Sequence, residues 1–224
     1  MTTKRLIHWM LAVGTGLLLH ANRAQALEST KPALNRTIVD ALGGAPAKGD
    51  YVFSLQGGWA FSALRVQAGV TERLALVSEL ESVLLLRNRP MIGVGMRWVD
   101  RPHLRITGDA LVGWLFQNAE EIRRGPNAEL RVRIALPFRR AVPYMVLGTR
   151  HALLPDLTTI ERASGTDWNW SFRHEWTPWA TIGFAFAISR SFGLDLGINY
   201  GWVDAPNTIA LPGFHVGLHF GGGR

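Results

Sequence analysis

The 224-residue chain has no cysteine. That absence excludes a disulfide framework, a thiolate metal site and a lipidated N-terminal cysteine. Beyond Leu27 no apolar stretch approaches the roughly 20 residues a spanning helix needs, although 47% of the chain is hydrophobic. The hydrophobicity is therefore dispersed. There is no glycine-rich phosphate loop, no G-x-S-x-G elbow and no zincin motif after His174-Glu175. Blocks of like charge are also missing. The arginines are scattered, which argues against a nucleic-acid-binding stripe.

The first 26 residues carry a positive start (Lys4, Arg5), an apolar run from Trp9 to Leu19 and the small-residue pattern Ala24-Gln25-Ala26. They read as a secretory signal cleaved before Leu27, because the apolar run is too short to anchor the chain. Lys4, Arg5 and Arg23 leave with it and no acid does, so the +7 of the whole chain becomes +4 in the mature protein. Residues 27–49 mix Pro, Ala, Gly and charge, with one helix-like piece near Thr37 to Leu42, and read as a mostly irregular periplasmic lead-in. A single domain follows over residues 50–220, with a tail at 221–224.

From Asp50 the chain alternates with period two, the signature of half-buried strands. Residues 128–138 put Leu130, Val132, Ile134, Leu136 and Phe138 on one face, opposite Glu129, Arg131, Arg133 and Ala135. Residues 104–116 put Leu104, Ile106, Ala110, Val112, Trp114 and Phe116 opposite Arg105, Thr107, Asp109 and Gly113. Residues 168–176 and 193–202 repeat the pattern, with His174 as a misfit on the apolar side. Noisier segments lie at 51–63, 64–70, 74–86, 91–99, 142–152, 180–189 and 213–220. Turns are expected at Arg87–Pro90, Asp100–Pro102, Gly125–Asn127, Pro155–Asp156 and Asp204–Asn207.

Alternation alone also suits a soluble sheet. Two further features favour an antiparallel transmembrane β-barrel. The polar face is rich in glycine and alanine, which suits a crowded bore. The tryptophans Trp59, Trp98, Trp114, Trp168, Trp170, Trp176, Trp179 and Trp202 fall near strand ends, where an indole suits a membrane interface. Each unpaired backbone group in hydrocarbon costs several kcal/mol, so such a sheet must close. The segments number ten or eleven, and an even count gives about ten strands, with eight or twelve as alternatives.

In these respects the chain resembles the outer-membrane β-barrel proteins of Gram-negative bacteria, of the small OmpA/OmpX-like class. Phe214, Val216, Leu218 and Phe220 resemble that family's closing strand, here followed by Gly221-Gly222-Gly223-Arg224. The resemblance implies an outer-membrane location and a structural or passive-permeability role.

Placed inward, Arg65, Arg97, Arg105, Arg131, Arg133 and Arg173 meet Glu79, Glu81, Asp109, Glu129, Glu175 and Asp195, which reads as a charge network filling a narrow lumen. His215 and His219 stand roughly 13 Å apart along a strand and cannot share one ion. No metal, cofactor or catalytic residue is expected. The expected partner is membrane lipid, with turn and loop arginines (Arg87, Arg89, Arg101, Arg123, Arg124, Arg139, Arg140, Arg162) as contacts for lipid phosphates. The competing readings are a lipid-modifying barrel enzyme and a soluble periplasmic β-protein that binds an apolar ligand.

Overall fold

The computed structural model describes Leu42 and residues 45–59, 61–83, 87–118, 122–138, 141–162, 165–189, 191–201 and 213–222. Residues 61, 118, 122, 123, 155–162 and 165–170 are described by their backbone alone. The signal, most of the lead-in, Trp202 and the end of the tail lie outside the described residues.

Ten strands pair in antiparallel fashion and close on themselves. They are β1 (Tyr51–Gly58), β2 (Phe61–Gly69), β3 (Leu74–Val83), β4 (Arg87–Arg101), β5 (Leu104–Asn118), β6 (Ile122–Ala135), β7 (Ala141–Arg162), β8 (Gly165–Ala187), β9 (Phe192–Tyr200) and β10 (Gly213–Gly222). Each strand pairs with its sequence neighbours, and β1 closes the ring on β10 from Tyr51↔Gly222 to Gly58↔His215. Closure leaves no edge strand among them.

The outward rows are predominantly apolar, with Ser62, Ser78, Thr149, His151 and His174 among the exceptions. Leu76, Leu80, Ile92, Val94, Val112, Leu130, Phe184, Leu196, Ile198 and Val216 are exposed, while the intervening Gln67, Glu79, Thr107, Glu129 and Asp195 are buried. A water-soluble sheet would do the reverse, because exposing this much apolar surface to water opposes folding. The outward row of β8 runs from Phe186 to Trp176, both exposed. Ten residues make roughly 33 Å of strand, or about 25 Å at the usual tilt of such strands, the height of a lipid-facing band.

Several expected turns lie inside strands. Arg87–Pro90 belongs to β4, Gly125–Asn127 to β6 and Pro155–Asp156 to β7. Proline lacks an N–H and normally interrupts a ladder. Around Pro90 the β4–β5 register is indeed unpaired between Asn88↔Phe116 and Met91↔Gly113, although the β3 side pairs continuously. The segments at 168–176 and 180–189 are one strand, β8, while 51–63 divides into β1 and the start of β2.

β7 and β8 are the longest strands. They pair with each other as far as Arg162↔Gly165, whereas β6 pairs with β7 only as far as Ala152 and β9 with β8 only as far as Ala180. The remainder forms a two-stranded arm roughly 30 Å long at about 3.3 Å per residue, at the barrel end away from Tyr51 and Gly222. At the terminal end, Leu42, Ala45, Pro46 and Ala47, read above as lead-in, are buried in the mouth. Gly69 is required there. A Cβ would fall 1.9 Å from the Ala47 carbonyl oxygen.

Candidate functional site: a filled ionic lumen

Alternation aims the odd-numbered residues of β2, β3, β5 and β6 into the bore, and a single ionic lattice forms across them. Arg65 donates to Glu79 at 2.8 Å and to Asp109 at 2.8 Å. Arg131 donates twice to Glu79, at 2.6 and 2.7 Å, and to Glu129 at 2.5 Å. Arg133 pairs with Asp109 at 2.9 Å and donates to the Leu42 carbonyl at 2.9 Å. Arg150 donates to Glu129 at 2.9 Å and to Glu81 at 2.5 Å, and Arg89 pairs with Glu81 from the other side. Five guanidinium groups thus share four carboxylates, all of them buried.

Two of those arginines were not in the expected set. Arg89 stands in the sequence among the expected turn arginines, and Arg150 carries no local signal that marks it as a lumen residue. Arg97 and Arg105 meet at Asp100, at 2.7 Å each, near the terminal rim, and Arg97 also donates to the Ala45 carbonyl. Arg173 corrects the expected network: it pairs with Glu175 at 2.7 Å but is 53% exposed on the arm, where β8 has passed the pairing limit of β9, whereas Glu175 stands at the rim and lines the lumen end with Arg87, Arg89 and Arg150.

Asp195 belongs to a second cluster, on β9, β10 and β1. His219 Nε2 lies 2.9 Å from one carboxylate oxygen and His215 Nε2 3.3 Å from the other. His219 Nδ1 meets Ser54 Oγ at 2.8 Å, His215 Nδ1 meets Asn199 at 3.1 Å, and the Tyr144 hydroxyl meets His215 Nε2 at 3.0 Å. The two histidines, four positions apart, therefore meet on one carboxylate. Among the described residues no group of three or more metal-ligating side chains is positioned to hold a metal.

The remaining cavity between the two clusters is about 50 Å³, lined by Arg65, Glu79, Arg131, Tyr144, His215 and His219 among others. That is room for a few water molecules. Lumen glycines create the space the large groups use. A Cβ on Gly197 would fall 2.4 Å from the His215 ring, and one on Gly217 would fall 2.2 Å from the Asp195 carboxylate.

Trp59, Trp98, Trp114 and Trp176 are exposed on the outer wall, and Trp168 and Trp170 lie on the β8 arm with only their backbone described. Trp179 is the correction among the tryptophans. It points inward, 6% exposed, with the guanidinium carbons of Arg131 and Arg150 at 5.5 and 5.3 Å from its ring centre. Parity is the signal that finds it, since Trp176 and Trp179 are an odd number of residues apart on one strand. Of the proposed phosphate contacts, Arg101 and Arg124 are exposed near opposite ends and Arg87 is partly so. Arg123 and Arg162 are described by backbone alone, and Arg139 and Arg140 lie outside the described residues.

A closed antiparallel sheet with apolar side chains outward and ionic ones inward is a transmembrane β-barrel. No family model and no curated protein matches this chain. Among solved structures, it is similar to the N-terminal β-barrel domain of Pseudomonas aeruginosa OprF, with 10% identity over 77% of this chain and 98% of that one and a TM-score of 0.34. The KdgM porin is 9% identical over 76% and 98%, with a TM-score of 0.37. The NanC porin is 10% identical over 76% and 98%, with a TM-score of 0.34. The assignment of this chain's fold rests on its own strand pairing.

Proposed function

We propose that this protein is an outer-membrane barrel with a structural role, whose lumen is closed to steady ion flow by its own side chains. The observation that carries this reading is the ionic lattice linking Arg65, Glu79, Glu81, Arg89, Asp109, Glu129, Arg131, Arg133 and Arg150 across the bore. Each carboxylate accepts from two arginines, so a passing ion would have to displace short, buried, charge-assisted bonds. The Asp195 cluster fills the sector that the arginines leave. Cleavage before Leu27 and export belong to the same proposal, supported by the sequence of residues 1–26. The exposed Arg101 and Arg124 stand near opposite ends of the barrel and suit lipid phosphates at the two interfaces.

Planar-bilayer recording of the purified mature protein tests the proposal. The expected result is baseline current with at most rare, small openings. A large, steady conductance from the unmodified barrel refutes the closed lumen and replaces it with a porin-like role.

A further inference from the structure

On the outer wall of β2 to β5 the apolar surface is indented. A groove of about 280 Å³ is lined by Val66, Ser78, Leu80, Pro90, Ile92 and Val112 among others. Ser78 contributes by being small, since its ladder partners are the larger Val66 on β2 and Ile92 on β4. Pro90 contributes by having no N–H to offer β5. Gly113 lets it approach, because a Cβ there would fall 2.1 Å from the Pro90 carbonyl oxygen.

Two residues further toward the arm end, the outward row turns polar. Ser62 is opposite Ser82, Ser82 opposite Asn88, Asn88 opposite Phe116 and Phe116 opposite Arg124, a row across five strands. Arg124 is exposed. Ser82 is 9% exposed, and its hydroxyl has no hydrogen-bond partner among the described residues. Exposed Trp114, opposite Pro126, stands two positions below Phe116 and marks this height as the membrane interface. The wall thus presents a cation and polar groups where hydrocarbon ends, and an apolar groove just inside it.

We propose that this face binds one phospholipid molecule, with its phosphate between Arg124 and Asn88, its ester oxygens at Ser82 and an acyl chain in the groove. Arg124 stands two strands from Asn88, about 10 Å at about 4.8 Å per strand, a span that an extended arginine and a phosphate bridge together. The guanidinium gives the phosphate charge-assisted bonds. Surrounding lipid is as apolar as the groove, so the chain is held by van der Waals fit rather than by escape from water. Selectivity therefore lies in the polar row. Its single described cation suits a lipid with one phosphate, and the groove suits one chain, not the several of a multiply phosphorylated glycolipid. The inference rests on the membrane placement proposed above and is independent of the closed lumen.

Native mass spectrometry of the mature protein, purified from membranes in mild detergent and titrated with palmitoyl-oleoyl phosphatidylglycerol, tests the proposal. The expected result is binding that saturates at one phospholipid per chain. Arg124→Gln removes the cation and Ser78→Phe fills the groove, and each should weaken binding by at least about tenfold. Ile198→Phe, on exposed β9 wall across the barrel, should leave it unchanged. Heat-modifiability on gels confirms that each variant is folded. The inference is overturned by absence of bound lipid, by an open-ended series of adducts, by undiminished binding in Arg124→Gln or Ser78→Phe, or by displacement of the phospholipid by an equimolar multiply phosphorylated glycolipid. Recovery of the protein in the soluble fraction instead refutes the membrane placement itself, and the inference with it.

Discussion

Glu79 is the carboxylate on which the lumen lattice turns, and its removal has a calculable effect. It accepts three bonds, one from Arg65 at 2.8 Å and two from Arg131 at 2.6 and 2.7 Å. Glu79→Gln keeps the shape and removes the charge. The five lattice arginines then face three carboxylates, so the buried excess rises from one positive charge to two. Arg65 retains Asp109 and Arg131 retains Glu129, which limits the damage. Removing one partner of a buried pair costs about 3–5 kcal/mol, and with those remaining bonds and the neighbouring water-sized cavity a value near the lower end, about 3 kcal/mol, is expected. Arg131→Met alone should cost a similar amount by leaving Glu79 with Arg65 alone and Glu129 with Arg150 alone. The double variant restores the original excess, so its cost should fall below the sum of the singles by about 1–3 kcal/mol. Urea unfolding in lipid vesicles, read by tryptophan emission and gel mobility, measures all three. A Glu79→Gln cost under about 1 kcal/mol, or strict additivity, would refute the lattice as a stabilising unit.

Ile92, 66% exposed on the outer wall, should give a loss of about 2–4 kcal/mol on change to arginine if it faces mid-bilayer; refolding yield into vesicles checks this. Alternation alone makes Thr107→Arg look mild, as a lumen substitution, but Thr107 is fully buried and opposite Arg133, so that variant should also fail to fold well in the same assay. Lipids brominated on their acyl chains should quench single-tryptophan proteins retaining Trp98, Trp114 or Trp176 and spare one retaining Trp179. Gly197→Val should lower thermal stability, by about 1–3 kcal/mol of overpacking, because its side chain would displace the His215 ring and the Tyr144 hydroxyl.

The barrel was legible in the sequence because its two environments are so unlike. Lipid outside and an ionic bore inside write themselves as alternation, as in Glu129–Arg131–Arg133 against Leu130–Val132–Ile134. Residue parity, once strand limits are known, also assigns Trp179 and Arg150 to the bore. What alternation does not carry is height. Arg173 has lumen parity and nonetheless stands on the arm, because nothing local states that β8 outlasts β9. Prolines misled for a related reason. Pro90, Pro126 and Pro155 sit within long strands, so a residue that usually punctuates a chain marks no boundary here. His151 and His174 are 23 positions apart, and only the register of β7 on β8 makes them neighbours.

The seam between β1 and β10 sets the order of events in assembly. Tyr51 finds Gly222 and Phe53 finds Phe220, so the last ladder to close joins nearly the two ends of the described barrel. No partial chain emerging from synthesis or export contains both sides of that seam. Until the final strand arrives, β1 presents an open row of amide groups and an apolar flank, a template for pairing with any other extended chain. Topologies dominated by such distant contacts fold slowly. A truncation that removes only β10 should therefore produce aggregates and proteolytic fragments instead of a smaller barrel.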